Sequence, residues 1–220
     1  MKNLVIFPLL LLSFLVTKEY RPDPNVSPKS DRELFTDEAD LSKAIQGAWT
    51  SSEINEAGEK IKITTIVMDG YHAETFYNEK TNAFVKTFGG FWTVENNVIT
   101  ITNEFSSADS TAVGKTRELT FHLKGDSLTF EGSDKLWTRI DDGQTGVLNG
   151  AWLISGRKRD GKMVRRTPGD RKTIKILSGT RFQWIAYNTA TGKFSGTGGG
   201  TYTAENGTYT EQIEIFSRDN

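Results

Sequence analysis

Apolar and polar residues alternate along most of the chain, and the alternation is that of strands. Leu119/Phe121/Leu123 and Leu128/Phe130 each place one apolar side chain at every second position, which buries one face of an extended segment. Runs rich in β-branched and aromatic residues predict strands over 48–54, 60–68, 71–77, 84–94, 97–105, 116–124, 127–131 and 135–140. Gly, Asn and Asp bound them. Asp69-Gly70, Glu95-Asn96-Asn97 and Gly125-Asp126 stand where hairpin turns are needed. Eight antiparallel strands in so short a stretch are enough to close a small barrel, and closure removes the exposed sheet edges of a flat arrangement. Ahead of them, Thr36 or Asp37 is placed to cap a short helix running through Ile45, with Leu41, Ala44 and Ile45 as its apolar face and Lys43 in its last turn.

The pattern then recurs. Gly47-Ala48-Trp49 returns as Gly150-Ala151-Trp152. Further on, Tyr77-Asn78 returns as Tyr187-Asn188, Phe84 as Phe194, Gly89-Gly90 as Gly199-Gly200, and Glu95-Asn96 as Glu205-Asn206. Such a colinear series predicts two copies of one unit, with an insertion in the first connection of the second copy (156–172 against 53–60). Strands are expected near 151–158, 171–178, 180–187, 193–204 and 207–217. Nothing in the second copy corresponds to 116–140. Five strands cannot close an eight-strand barrel, so the second copy is expected to be a truncated or open half-barrel. A partner chain supplying the missing strands in a dimer, or packing of the sheet on the first domain, are the other ways to satisfy it.

The N-terminus differs from the rest. Met1-Lys2-Asn3 precedes a thirteen-residue apolar run, Leu4–Val16. That run is short for a bilayer span and matches the core of an export signal, with an uncleaved anchor as the alternative. The expected organisation is a signal peptide (1–17), a disordered Pro-containing spacer (18–36), an all-β, antiparallel, eight-stranded barrel domain (37–140) and an incomplete second domain (148–220). Zero Cys excludes disulfides, thiolate metal sites, a Cys nucleophile and a lipid-modified cysteine anchor. An export signal on a cysteine-free chain suits a bacterial periplasmic or secreted protein.

A short helix leading into Gly-x-Trp on a first strand, followed by seven more antiparallel strands, resembles the lipocalin pattern. The run Gly199-Gly200-Thr201-Tyr202-Thr203-Ala204-Glu205-Asn206-Gly207-Thr208-Tyr209-Thr210 is similar to the lipocalin-like domains of secreted bacterial proteins. That resemblance implies a Trp plugging the closed end, here Trp49 and Trp152, with a last-strand Arg lying across it, here Arg139. It also implies capture of a small apolar or amphipathic molecule in the barrel.

Candidate ligand contacts are His72, Glu74, Phe76, Phe84 and Phe121. His72 and Glu74 share one face of their strand. Their counterparts, Phe182 and Trp184, belong to an apolar face with Ala186, which points His72, Glu74 and Phe76 into the barrel as a polar handle in an apolar pocket. The opposite parity, the plainer state for a polar pair, leaves both in water with Tyr71, Ala73 and Thr75 inward.

Net charge is −1, which argues against a nucleic-acid partner. It hides an asymmetry. Residues 148–220 carry twelve basic and six acidic groups, and the remainder fifteen basic and twenty-two acidic. Arg157, Lys158, Arg165 and Arg166 concentrate in the inserted loop, either as an anion-binding lip for an acidic glycan or as a solvated hairpin that pairs with the acidic first domain. The Gly196–Gly200 run is no phosphate loop, because no helix follows it. No catalytic, metal or cofactor signature emerges. The expectation is therefore a non-catalytic binding protein with no cofactor; a glycan- or protein-interaction module is the alternative.

Overall fold

The structure, a computed structural model, describes residues 7–8, 38–144 and 146–218. The expected signal segment apart from 7–8, the spacer and the proposed cap at Thr36 or Asp37 lie outside the described residues.

A seven-residue helix, α1 (Glu38–Ala44), leads into eight strands: β1 (Gly47–Ile54), β2 (Lys60–Met68), β3 (Tyr71–Asn78), β4 (Phe84–Glu95), β5 (Val98–Ser106), β6 (Thr116–Lys124), β7 (Ser127–Phe130) and β8 (Trp137–Asp141). Each pairs antiparallel with the next, and β8 returns to β1, so the barrel closes. The boundaries expected from the sequence hold to within two residues. Tight turns at 69–70, 96–97 and 125–126 gather at one end with α1. Asp69, Asn96 and Asn97 adopt positive φ there, a conformation that Asn and Asp tolerate better than other side-chain-bearing residues. The longer connections, 79–83, 107–115 and 131–136, gather at the other end.

The rest of the chain forms β9 (Gly150–Leu153), β10 (Gly156–Arg159), β11 (Lys162–Arg165), β12 (Arg171–Leu177), β13 (Arg181–Asn188), β14 (Phe194–Glu205) and β15 (Thr208–Phe216). Five of these make one antiparallel sheet in the order β15-β14-β13-β12-β9, and Phe7–Pro8 pairs with Tyr209 and Thr208 on its β15 edge. β10 and β11 form a separate two-stranded ribbon. The single strand expected over 151–158 is thus broken: Ser155 separates sheet from ribbon.

The sheet packs on the outside of the barrel. Ile174, Ile176, Ile185 and Tyr187 bury against Ala48, Ile66, Met68, Tyr71, Ala73 and Phe105, all on the outer barrel wall. Burial of this apolar area drives the association. Gln183, Thr75, Thr87 and Thr197 inside the contact are paired, as burial demands. Gln183 Nε2 donates to Thr87 Oγ1 and Thr197 Oγ1 at 3.0 Å, while Thr75 Oγ1 donates to Gln183 Oε1 at 2.9 Å. Tyr71 and Tyr187 share Glu104, which also pairs with Lys172. Burial first, then the neighbouring phenol and carboxylate, raises the Tyr71 phenol well above its usual value. Asp141, at the end of β8, accepts from Ser178 Oγ, Gly179 N and Thr180 N and Oγ1 at the β12–β13 turn. Burial opposes its charge, yet bonds from Thr180, Gly179 and Ser178 hold its carboxyl below the usual range. Of the ways the sequence left open for the five strands, packing on the first domain is the one observed; the sheet stays open rather than closing.

Matching local geometry recurs at the spacing of the sequence repeat. Trp49 Nε1 donates to Ile45 O and Trp152 Nε1 to Leu148 O, both at 2.9 Å. Thr87 N and Thr197 N donate to Ser107 Oγ and Ser217 Oγ, again both at 2.9 Å. The register shifts between Gly89 and Gly90, and likewise between Gly199 and Gly200. At each bulge the neighbouring strand comes so close that a Cβ on Gly90 would overlap the Thr102 carbonyl, and one on Gly200 the Gln212 carbonyl.

Candidate functional site

The barrel interior is packed at one end and hollow toward the other. At the packed end, α1 lays Leu41 and Ile45 over the opening, and Trp49 is fully buried beneath them. Arg139 reaches across from β8. Its guanidinium lies 4.0 Å from the Trp49 ring and donates to the carbonyls of Ala44 and Gln46 at 2.7 and 2.9 Å, with Asp126 at 3.2 Å. One arginine thereby stacks on the indole and satisfies carbonyls at the helix C-terminus, where a cation is favoured. This is the arrangement expected of Trp49 and Arg139. Trp152 departs from it: the indole is 53 % exposed. No described strand of the second sheet wraps around that ring, so among the described residues Trp152 plugs no barrel end.

Above this plug lies a cavity of about 300 Å3. Val67, Ile99, Ile101, Phe121, Leu128 and Trp137 supply apolar lining, and His72, Glu74, Thr65 and Arg117 supply polar lining. The Glu131–Lys135 segment rims it. His72 and Glu74 therefore face inward, and the parity suggested by Phe182 and Trp184 is the one observed. Tyr71, Ala73 and Thr75 face out, beneath the second sheet.

His72 is only 3 % exposed. Its Nδ1 lies 3.1 Å from Gly90 O, a carbonyl that can only accept, so the proton sits on Nδ1. Nε2 is left as a buried acceptor with no partner among the described residues. Burial, then the Arg117 charge, lowers the imidazole to about 4, so the ring is neutral near pH 7. Glu74 is pushed the other way. Burial raises its carboxyl to about 7 against the opposing charges of Arg117, Lys135 and Lys86. The Glu74 carboxyl forms no hydrogen bond or ion pair with another described side chain, while its backbone carbonyl accepts from Thr87 Oγ1 at 2.8 Å. Lys135 pairs with Glu53 at the rim.

The other expected contacts divide. Phe121 lines the cavity. Phe76 lies in the barrel core, tilted against Phe88 at 5.8 Å, with Lys86 4.3 Å above its ring. Phe84 is not at the cavity: it stacks on Phe194 at the junction with the second sheet, centroids 6.3 Å apart and planes 1° from parallel. Strand β4 carries a register shift opposite Phe76/Tyr77, which breaks simple alternation near Phe84. Arg117 was missed as a lining residue, though it has the parity of Leu119, Phe121 and Leu123. Extending that alternation by one step places it inside.

The inserted loop is the β10–β11 ribbon. Arg157, Lys158 and Arg165 lie on it, and Arg166 follows, tied by its backbone to Ser155 O at 2.7 Å. All four are exposed. Among the described residues none of their side chains forms an ion pair, so the expected pairing with the acidic first domain is not made; Lys172, outside the ribbon, pairs with Glu104 instead. Met163, 63 % exposed, and Val164 stand on the same ribbon, with Trp152, Leu153 and Ile154 exposed beside its base.

No helix among the described residues is long and apolar enough to cross a membrane. No family model, no curated protein and no solved structure matches the chain.

Proposed function

We propose that this chain is a lipocalin-like, non-catalytic binding protein whose barrel captures one small apolar or amphipathic molecule. The observation that carries the reading is the cavity itself, closed at one end by Trp49 and Arg139 and bordered by an unpaired polar edge. Apolar walls with a few convergent polar groups are the usual anatomy of a small-molecule site. The matched bonds of Trp49 and Trp152, and of Thr87 and Thr197, support descent of both units from one duplicated ancestor. The basic start and thirteen-residue apolar run support export to the periplasm or beyond.

Capture is tested with 1-naphthylamine, a neutral two-ring fluorophore whose emission changes in apolar sites. Saturable one-to-one binding, abolished in a Leu119→Trp variant that fills the cavity, is expected. Binding unaffected by that substitution overturns it.

A second reading rests on the ribbon, whose unpaired cations and exposed Met163 and Val164 suit an acidic glycan or protein partner. It predicts retention on a sulfated polysaccharide that weakens with salt and is lost in Arg165→Ala/Arg166→Ala. Retention indifferent to both refutes it.

A further inference from the structure

The cavity's polar edge discriminates between kinds of head group, and this inference rests on the ligand-capture reading above. His72 offers only a lone pair at Nε2, because its single ring proton is committed to Gly90 O. A carboxylate or phosphate is attracted by Arg117 and Lys135 on the same lining but has no proton to give Nε2, and the Glu74 carboxyl two residues along the wall offsets part of that attraction. An ammonium has protons to give but meets Arg117 and Lys135 on the same lining. A purely apolar molecule leaves Nε2 unsatisfied, a state that costs free energy in a buried site. A neutral hydroxyl satisfies the set: it donates to Nε2, and its oxygen remains free to accept. Size narrows the rest. A dry cavity of about 150 Å3 accommodates benzene, so 300 Å3 suits one substituted ring or two fused rings. Trp49, Phe121 and Trp137 line it with aromatic surface.

We propose that the barrel selects a small neutral phenol or ring-bearing alcohol, held by a hydrogen bond from its hydroxyl to His72 Nε2. The apolar ring occupies the space between Trp49, Phe121 and Trp137, and the hydroxyl faces the β3 wall.

The test compares three probes of one shape: 4-propylphenol, propylbenzene and 4-propylbenzoate. Each is titrated into the 15N-labelled full chain and followed by NMR. The phenol is expected to bind about three- to tenfold more tightly than propylbenzene, the worth of one hydrogen bond that satisfies a buried acceptor, and the benzoate more weakly than either. In His72→Phe the ratio of phenol to propylbenzene affinity falls to near one. The 15N resonance of His72 Nε2 in the unaltered chain provides a readout independent of that variant: it shifts with the phenol and stays in place with propylbenzene. Equal affinity for phenol and propylbenzene, preference for the benzoate, or an unmoved Nε2 resonance overturns the head-group inference while ligand capture stands. Failure of all three probes to bind removes the capture reading, and this inference with it.

Discussion

His72 and Glu74 impose opposite pH dependence on folding, and the two slopes nearly cancel until one is removed. In the folded chain the His72 ring stays neutral down to about 4, whereas an unfolded histidine protonates near 6.5. Its folded pKa is depressed, so the stability it contributes is present above 6.5 and is lost as pH falls toward 4. Glu74 holds its proton up to about 7, whereas an unfolded glutamate releases it near 4.5. Its folded pKa is raised, so its contribution is present below 4.5 and is lost as pH rises through 7. At about 1.4 kcal/mol per pKa unit, each group spans at most about 3.5 kcal/mol. Water entering the cavity mouth reduces the Glu74 figure toward about 1–2 kcal/mol. Glu74→Gln deletes the falling slope, so its stability relative to the parent rises between pH 4.5 and 7. His72→Phe deletes the rising slope, so its relative stability is greatest near pH 4 and declines toward 6.5. Urea unfolding followed by tryptophan fluorescence, repeated at half-unit steps from pH 4 to 7.5, measures both differences; groups common to parent and variant cancel. Differences that are constant across that range would refute the inward, buried placement of the pair.

Three further outcomes follow from the packing. Arg139→Ala removes the cation over Trp49 and the donors to Ala44 and Gln46, and is expected to cost about 2–4 kcal/mol in urea unfolding; a loss under 0.5 kcal/mol contradicts the plug. Gln183→Leu strips the amide that bridges Thr75, Thr87 and Thr197. It should cost about 1–3 kcal/mol and speed amide exchange along β13 more than along β7, and uniform exchange would count against the contact. Gly90→Ala and Gly200→Ala each drive a Cβ into a neighbouring carbonyl. Both are expected to lower the melting temperature by about ten degrees or more or to prevent folding, and near-parental melting of either would contradict the close approach of strands at the bulge.

The strands, their turns and the recurrence were legible because each depends on local chemistry. Alternation in Leu119/Phe121/Leu123 fixes one face, and Asn or Asp beside Gly fixes the turns. What lay beyond the sequence was decided by distant contacts. Tyr71 and Ala73 on one face of β3 and His72 and Phe76 on the other are all buried, so alternation there carries no sign of which face is the interior. The second sheet covers the outer face, so the burial of Tyr71 and Ala73 is decided by a contact over a hundred residues away in the chain. Trp152 matches Trp49 in sequence and in its bond to the residue four earlier, yet its indole stays exposed because no described strand wraps around it. Phe84 went astray for a local reason, the register shift in β4. The ribbon's cations were legible as a cluster, but not their lack of acidic partners, which depends on where the ribbon projects.

The most direct test of the account is a crystal structure of the full chain grown with 1-naphthylamine. Electron density for the dye between Trp49, Phe121 and Glu74, inside an eight-stranded barrel, is the predicted result. An interior filled by side chains, with the dye bound elsewhere or not at all, would contradict it.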